Sequence, residues 1–596
     1  MARGGARAEV GVRAGASHNP LAVPNDAHAA RPERRADPVA IGLALVVVAA
    51  YVAHVAAFWT QINDDAFITF RYSRFLSGGL GPYYNVGEHV EGYTNALLML
   101  LCAASIALFG PGAALLTAKL IGAASGLVAI FASRALCRAW LLHASANPSD
   151  PGAAALDAAR DARLARRSSA AWASRVSWAA GALVALDCAY ALNSVSGLET
   201  ALFSALVMLG LLAASRPDSK PRFPGAGAAF ALAAWTRPEG AVLFAAVVLG
   251  RLVAGAGRRR ETRAALGLDV AIVTGAVALH SALRYALYDG ELLPNTYYAK
   301  QGGFVAGISA TRYVWDYLTR ILAGVVPLLA LTTLLGGARL RAATLPALAA
   351  ALASLAILFH AGSDWMLGYR LLTPLTPAWA ALAVAGLAAP ASTLSARLSR
   401  PVVAASAAIL PVGLFLWQTP TRDECLTHSA TRARGYLNGH TALADWLHER
   451  AAPGETVALM DIGIVGYHNP ELHILDISGL TDRAIAKSTG GLLDKNYDPA
   501  YVLDQEPRFI VIVASGPPGT ISQRELEWVE PWTNAEARLM DTEAFRRDYV
   551  ALRPAPGGAD ALAWLAAALG AERVFRHDYP GQSYLLVAYE RRGAGS

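Results

Sequence analysis

Apolar and polar positions fall in long blocks along this chain. Runs rich in Ala, Leu and Val occur at roughly 39–59, 95–110, 113–136, 176–193, 200–214, 223–236, 238–256, 265–287, 319–336, 342–361, 371–390 and 401–418. Each reads as a helix able, or nearly able, to cross a hydrocarbon core about 30 Å thick. The connecting segments are of two kinds. One kind is basic: Arg31, Arg34 and Arg35, the stretch Arg138 to Arg175, Arg216 to Arg222, "GRRRETR" (257–263), "GARLR" (337–341) and "ARLSR" (396–400). The other mixes acids, amides and aromatics: "DDAF" (64–67), "VEGYTN" (90–95), "SGLET" (196–200), "TRPEG" (236–240), "LPNTYYAK" (293–300) and "GSDWMLGYR" (362–370).

The excess of Arg and Lys in cytoplasmic loops orients such a chain. All basic segments fall on the cytoplasmic side if one apolar run does not cross. The run at 95–110 is the shortest repair: about 16 residues, or ~24 Å as a helix, falls short of the core thickness. The expectation is therefore about eleven spanning helices with 95–110 lying along the membrane. Every mixed polar segment then emerges on the external face. Inside the spans, Lys119 and Asp187 are the main charges.

After residue 418 the pattern changes. "ALADWLHERA" (442–451) reads as an amphipathic helix, and "TVALM", "LHILDI" and "RFIVIVA" read as strands, which predicts a small external α/β domain over 420–596. "DIGIVGYH" (461–468) is only a partial echo of a phosphate loop. The divisions expected are a disordered cytoplasmic tail over 1–37, without the features of a cleavable leader, a membrane domain over 38–419 and the external domain.

Composition agrees with the pattern. Apolar residues make up 55% and charged residues 16% of 596 residues, with a mean hydropathy of +0.35, too apolar for an ordinary soluble protein. Four cysteines without regular spacing suggest neither a disulfide framework nor a thiolate metal site. Nothing points to nucleic acid.

The candidate chemistry gathers in the mixed segments. If a helix begins near 64, Asp64 and Asp65 diverge by about 100° around it, and Asp64 shares a face with Arg71. This makes Asp64 the candidate general base for a sugar hydroxyl and Asp65 the cap, orienter or metal partner. Phe67, Phe70 and Phe75 are expected to bury the lipid side. Ser196 with Glu199, and Thr236 with Glu239, match a capping box. Helix starts there, with Arg237, Lys300 and Arg370, would favour an anion such as phosphate. Trp365, directly after Asp364, is a candidate platform for a sugar face.

Taken in order, "DDAFITFRYSRFLSGGLG…YNVGEHVEGYTN", "SGLETALF", "TRPEG", "LPNTYYAK" and "GSDWMLGYRLLTPLTP" resemble the family of the actinobacterial terminal β-(1→2) arabinofuranosyltransferase. That family lies within the GT-C superfamily of polyprenyl-phosphate-sugar-dependent glycosyltransferases. The likeness spans roughly residues 40–390, and "ISGLTDRAIAK" (477–487) resembles the family's external domain. The resemblance implies a polytopic helical GT-C fold with juxtamembrane helices in the first external loop. It implies a catalytic acid at Asp64, with Asp65 beside it, and a lipid-phosphate donor held by Arg237, Lys300 and Arg370. The wider donor-binding set is Arg71, Glu91, Tyr93, Asn95, Glu199, Asn295, Tyr298, Asp364 and Trp365. A divalent cation (Mg or Mn, on Asp64 and Asp65) is left open. The acceptor would be a cell-envelope glycan or a surface protein. A flippase of lipid-linked sugars, or a non-catalytic envelope assembly protein, is the competing reading. Mid-membrane polar groups and internal repeats, the marks of a transporter, are not evident in the sequence.

Overall fold

The computed structural model describes residues 37–144, 168–215, 224–255, 260–300, 303–388, 396–516, 531–549, 574–577 and 583–592. The expected N-terminal tail and most of the Arg-rich insertion lie outside the described residues. Among the described residues, five helices have the length and apolar character to cross a membrane: Pro38–Ala57, Pro111–Ala144, Arg260–Leu287, Ala338–Phe359 and Arg400–Trp417. Shorter apolar helices, Ala96–Phe109, Thr200–Ala214, Gly225–Thr236 and Thr373–Ala388, pack among them.

Two runs expected to be single spans are broken. The run at 176–193 bends by 67° between Ser168–Ala185 and Cys188–Ser194. The cause is Asp187, whose carboxylate accepts the Tyr190 N–H at 2.7 Å and starts a new helix. The run at 319–336 bends by 93° at Gly324, which takes a left-handed φ of 64°. Lys119 is not free at the membrane surface: its Nζ donates to the Trp59 carbonyl, and it lies 5.3 Å from the Trp59 ring.

Beyond the first span runs a juxtamembrane helix, Asp64–Ser77, followed by the 14-residue helix Ala96–Phe109. The helix starts where expected, with two acidic residues in its first turn against the positive end of its dipole. It is buried on nearly all sides, which an interfacial helix would not be. Phe67 and Phe70 pack edge-on against Tyr467 of the C-terminal domain, with ring centroids 5.6 and 6.1 Å apart. The lipid-facing role expected of these phenylalanines is therefore corrected: the domain above them covers the face that lipid would have covered.

The C-terminal portion holds a five-stranded sheet in the order β2-β1-β3-β5-β4, with β1 Thr456–Leu459, β2 His473–Asp476, β3 Phe509–Gly516, β4 Val574–Arg576 and β5 Ser583–Glu590. β1 pairs in parallel with β2 and β3, while β5 runs antiparallel to β3 and β4. The run "FIVIV" of β3 is wholly buried at the sheet centre, as a strand covered on both faces requires. The β1–β2 crossover is the helix Ile462–His468. It lies directly against the juxtamembrane helix and is called the docking helix below.

Candidate active site

The two aspartates part company at the docking helix. Asp64 is buried, and both its carboxylate oxygens accept backbone N–H groups from that helix's first turn: Gly463 at 2.9 Å and Ile464 at 2.7 Å. Two turns on, Arg71 sends its guanidinium to the other end. It donates to the carbonyls of Gly466, Asn469 (2.9 Å) and Leu472 (2.8 Å), and to Tyr84 O at 2.7 Å in its own loop. Anion at the N-terminus and cation at the C-terminus complement the dipole of the docking helix. The shared face of Asp64 and Arg71 is real, and it serves domain docking. Arg71 as a donor ligand is accordingly corrected, because the C-terminal carbonyls already engage its N–H groups. Burial pushes the Asp64 carboxyl up to about 6, with His440 pulling it down and Asp461 pushing it up.

Asp65, rotated away from the docking helix, is half-buried and faces a different company. Burial raises its carboxyl above the usual range, while Arg370 and Lys300 pull it down and Asp364 and Asp461 push it up. Arg370 is paired with Asp364 through Nε, and Asp364 also accepts Met366 N at 3.2 Å. Burial pushes the Asp364 carboxyl up, but Arg370 and Lys300 outweigh it and hold the group below its ordinary value. Arg370 follows two left-handed residues, Gly368 (φ 79°) and Tyr369 (φ 48°). The second is strained for a side-chain-bearing residue. Asn193 holds this turn, donating to Gly368 O at 2.7 Å. Lys300 ends the short helix Asn295–Ala299 and stays solvent-accessible. Desolvation by the surrounding walls and repulsion from Arg370 lower its ammonium, against the pull of Asp65 and Asp364.

A hydrogen-bond chain carries the remaining motifs to the same place. Thr69 Oγ1 donates to Asn95 Oδ1 at 3.1 Å, and Asn95 Nδ2 donates to Glu199 Oε2 at 3.1 Å. Glu199 Oε1 lies 3.8 Å from Arg237 Nη1, and Arg237 Nη2 donates to Glu239 Oε1 at 3.2 Å. Arg237 is buried, yet its Nη1 has no hydrogen-bond acceptor among the described residues. A desolvated guanidinium N–H in that state calls for a further hydrogen-bond acceptor. Arg237 and Glu239 also form the polar end of a cavity otherwise lined by Phe203, Leu243, Ser354, Ile357, Leu358, Leu371 and Leu375.

The capping boxes do not form as expected. The helix Thr200–Ala214 begins at Thr200, with Glu199 as the flanking residue. Ser196 Oγ accepts Leu198 N, and Thr236 Oγ1 bonds back to Leu232 O. The two glutamates are left to face Arg237 instead.

Other expected donor ligands belong to the framework. Glu91 is buried against Arg284, which donates to both its oxygens. Tyr93 shares a hydroxyl contact of 3.1 Å with Tyr288. Asn295 Nδ2 is shared among the carbonyls of Gly479, Leu480 and Asp482 at 2.9 to 3.1 Å, so "LPNTYYAK" grips the "ISGLTD" loop. Tyr298 sits beneath the Lys487 ammonium, 5.1 Å from it. Trp365 is 54% exposed, with the Arg432 guanidinium 5.0 Å from its ring.

Both Asp64 carboxylate oxygens are engaged by backbone N–H donors, and Asp65 lies in the field of Arg370 and Lys300. Among the described residues no group of three or more His, Cys, Asp or Glu side chains is placed to hold a metal ion. All four cysteines are free and buried.

Sequence reasoning missed the site role of Glu239 and the meaning of "DIGIVGYH". The two glycines of that stretch are packing residues: a Cβ on Gly463 would lie 2.0 Å from Asp64 O, and one on Gly466 would lie 2.2 Å from Tyr84 Oη. Small residues at i and i+3 on a crossover helix were the available signal.

A family model described only as a domain of unknown function (DUF8728) matches residues 429–560, which include β1, β2 and β3 of the C-terminal domain. No curated protein matches the sequence. Among solved structures, the chain is similar to ArnT from Cupriavidus metallidurans bound to undecaprenyl phosphate. The TM-score is 0.50 at 16% identity, covering 81% of this chain and 93% of that one. The same protein in its apo state gives 0.49 at 15% identity, covering 92% and 97%. The likeness to the lipid-bound form establishes the fold: a polytopic helical membrane domain like that of ArnT, followed here by a small C-terminal sheet.

Proposed function

We propose that this protein is an integral-membrane glycosyltransferase that moves a pentose, arabinofuranose, from a polyprenyl-phosphate donor to a cell-envelope glycan or surface-protein acceptor. The observation that carries the reading is a cluster of cations: Arg370 and Lys300 act on Asp65, and Arg237, close enough to repel Lys300, stands with Glu239 at the wall of an apolar cavity. That combination suits a lipid phosphate, with charge at the cations and the chain along the apolar walls. The ArnT structure of the same fold was solved with undecaprenyl phosphate, which supports the donor class. The pentose rests on the ordered motifs. The excess of Arg in the opposite loops supports placing the reaction on the external face, with the N-terminus cytoplasmic.

In this reading Asp65, not Asp64, is the base. It takes the proton from an acceptor hydroxyl as that oxygen attacks the anomeric carbon. The bond from that carbon to the phosphate oxygen breaks, and polyprenyl phosphate leaves with the electron pair. Arg237, Lys300 and Arg370 stabilise the charge growing on the leaving phosphate, in a walled site where such stabilisation is strongest. A carboxylate raised by burial is a better base than a solvated one.

The test is transfer from labelled polyprenyl-phosphate-arabinose by the full chain in liposomes. Asp65→Asn is expected to lose transfer while still binding donor. Undiminished transfer by that variant removes Asp65 as base, and no transfer by the unaltered protein from any polyprenyl-phosphate pentose overturns the function.

A further inference from the structure

The geometry points to the C-terminal domain as part of the reaction centre, with Asp64 as a positioning residue that sets Asp65 by capping the docking helix. This rests on the reading of Asp65 as base.

Asp65 stands in the first turn of the juxtamembrane helix, one residue from a carboxylate held at both oxygens by the C-terminal domain. Arg71 makes the second attachment seven residues on, about 10 Å along the axis. Two attachments on one face, at opposite ends of the docking helix, prevent the juxtamembrane helix from sliding or turning. Turning it would swing Asp65 away from Arg370 and Lys300. Asn63, the residue flanking the helix start, gives no side-chain cap, so the first turn gains its rigidity from across the domain boundary.

Lys300 is seated in the same way. The helix that ends at Lys300 begins at Asn295, and the Asn295 amide is held by the carbonyls of 479–482. Of the two charges that face each other across the site, Asp65 adjoins a residue gripped by the C-terminal domain, and Lys300 stands one short helix beyond another. Gly463 shows how close the first contact is. Its α-carbon has no room for a methyl, because a Cβ would lie 2.0 Å from Asp64 O and 2.7 Å from Asp64 Oδ2.

The experiment uses the full chain in liposomes with Gly463→Ala, Asp64→Asn and Asn295→Ala. A displacement near 1 Å costs on the order of 100-fold in turnover. Gly463→Ala is expected to lower kcat on that scale with the donor KM held within about twofold, the pattern of a lost transition-state contact. Asn295→Ala is expected to raise the donor KM instead, because it releases Lys300. Asp64→Asn keeps one acceptor oxygen and nearly the same volume. It should lose less than Gly463→Ala and keep the acid limb of the pH–rate profile, which Asp65→Asn loses. Hydrogen exchange at residues 64–70 should quicken in Gly463→Ala and Asp64→Asn, and that readout needs no turnover. Unaltered kcat in Gly463→Ala, unaltered exchange at 64–70, or loss of the acid limb in Asp64→Asn would each overturn the positioning role. If the unaltered protein transfers no sugar, the glycosyltransfer reading fails, and exchange at 64–70 alone decides whether the domain holds the helix.

Discussion

Replacing Arg71 by Met should detach the docking helix without disturbing the membrane domain. The side chain is 1% exposed, and its hydrogen-bond partners among the described residues are carbonyl oxygens and Asn85 Oδ1. Met keeps the volume and removes the cost of burying a cation, which favours the variant by several kcal/mol. Against that, the carbonyls of Tyr84, Gly466, Asn469 and Leu472 lose a charged donor. A hydrogen bond to a charged group contributes about 1.5–3 kcal/mol, and each buried acceptor left alone costs ~1–3 kcal/mol. The guanidinium also lies 5.0 Å from the Phe75 ring and 4.8 Å from that of Tyr84, a smaller loss of roughly 1 kcal/mol each. The balance, several lost charged-donor bonds against the relieved desolvation of one cation, is a destabilisation of about 3–5 kcal/mol. At about 1.4 kcal/mol per factor of ten, local opening rises by roughly 100- to 4,000-fold. Hydrogen exchange of the amides in 465–469, in detergent or nanodiscs, reads this directly. Arg71→Lys, with three donors in place of five, should fall between. A change below about tenfold in Arg71→Met would show that apolar packing of Phe67 and Phe70 on Tyr467 holds the domain, and would refute the electrostatic account.

Three further outcomes follow from the site. Asp65→Asn should lower kcat by about 10²- to 10⁴-fold in a transfer assay, with little change in donor binding by equilibrium titration. Arg370→Gln removes the largest influence holding Asp65 down; because the base acts deprotonated, the acid limb of the pH–rate profile should move to higher pH, and an unmoved limb would separate Asp65 from Arg370. His440 loses charge through burial but regains it through its 2.9 Å bond to Asp461 and the nearby Asp64, so its imidazole titrates above the ordinary value. The stability it adds is complete below the unfolded value of ~6.5 and is lost as pH rises through the raised folded value. Denaturant midpoints of the C-terminal domain should therefore fall between neutral and alkaline pH in the unaltered protein, and stay flatter in Asp461→Asn.

The legible part of this molecule was the part ruled by local rules. Hydropathy blocks marked the membrane helices because each must satisfy its backbone internally and present an apolar surface. The short run at 95–110 and the helix start at Asp64 followed from length and from acids at a dipole end. The mixed motifs that hold Asp65, Glu199, Arg237, Lys300, Asp364 and Arg370 stood out because charge beside a membrane is costly without a purpose. The bends at Asp187 and Gly324 were hidden, since one polar cap or one left-handed glycine inside an apolar run barely alters its composition.

Which aspartate faces the site was not readable at all. Neighbours on a helix differ by about 100°, and the sequence sets that angle without setting the rotation of the helix as a whole. The rotation comes from Gly463, Ile464, Gly466, Asn469 and Leu472, about four hundred positions away, whose N–H groups and carbonyls bind Asp64 and Arg71. These remote contacts turned Arg71 from a donor ligand into an attachment of the C-terminal domain, and the carbonyls of Gly479, Leu480 and Asp482 did the same for Asn295. Local chemistry determined that an acid would stand at this membrane surface. Only the tertiary packing, by occupying one carboxylate with backbone N–H groups, decided that Asp65 is the one left facing the cations.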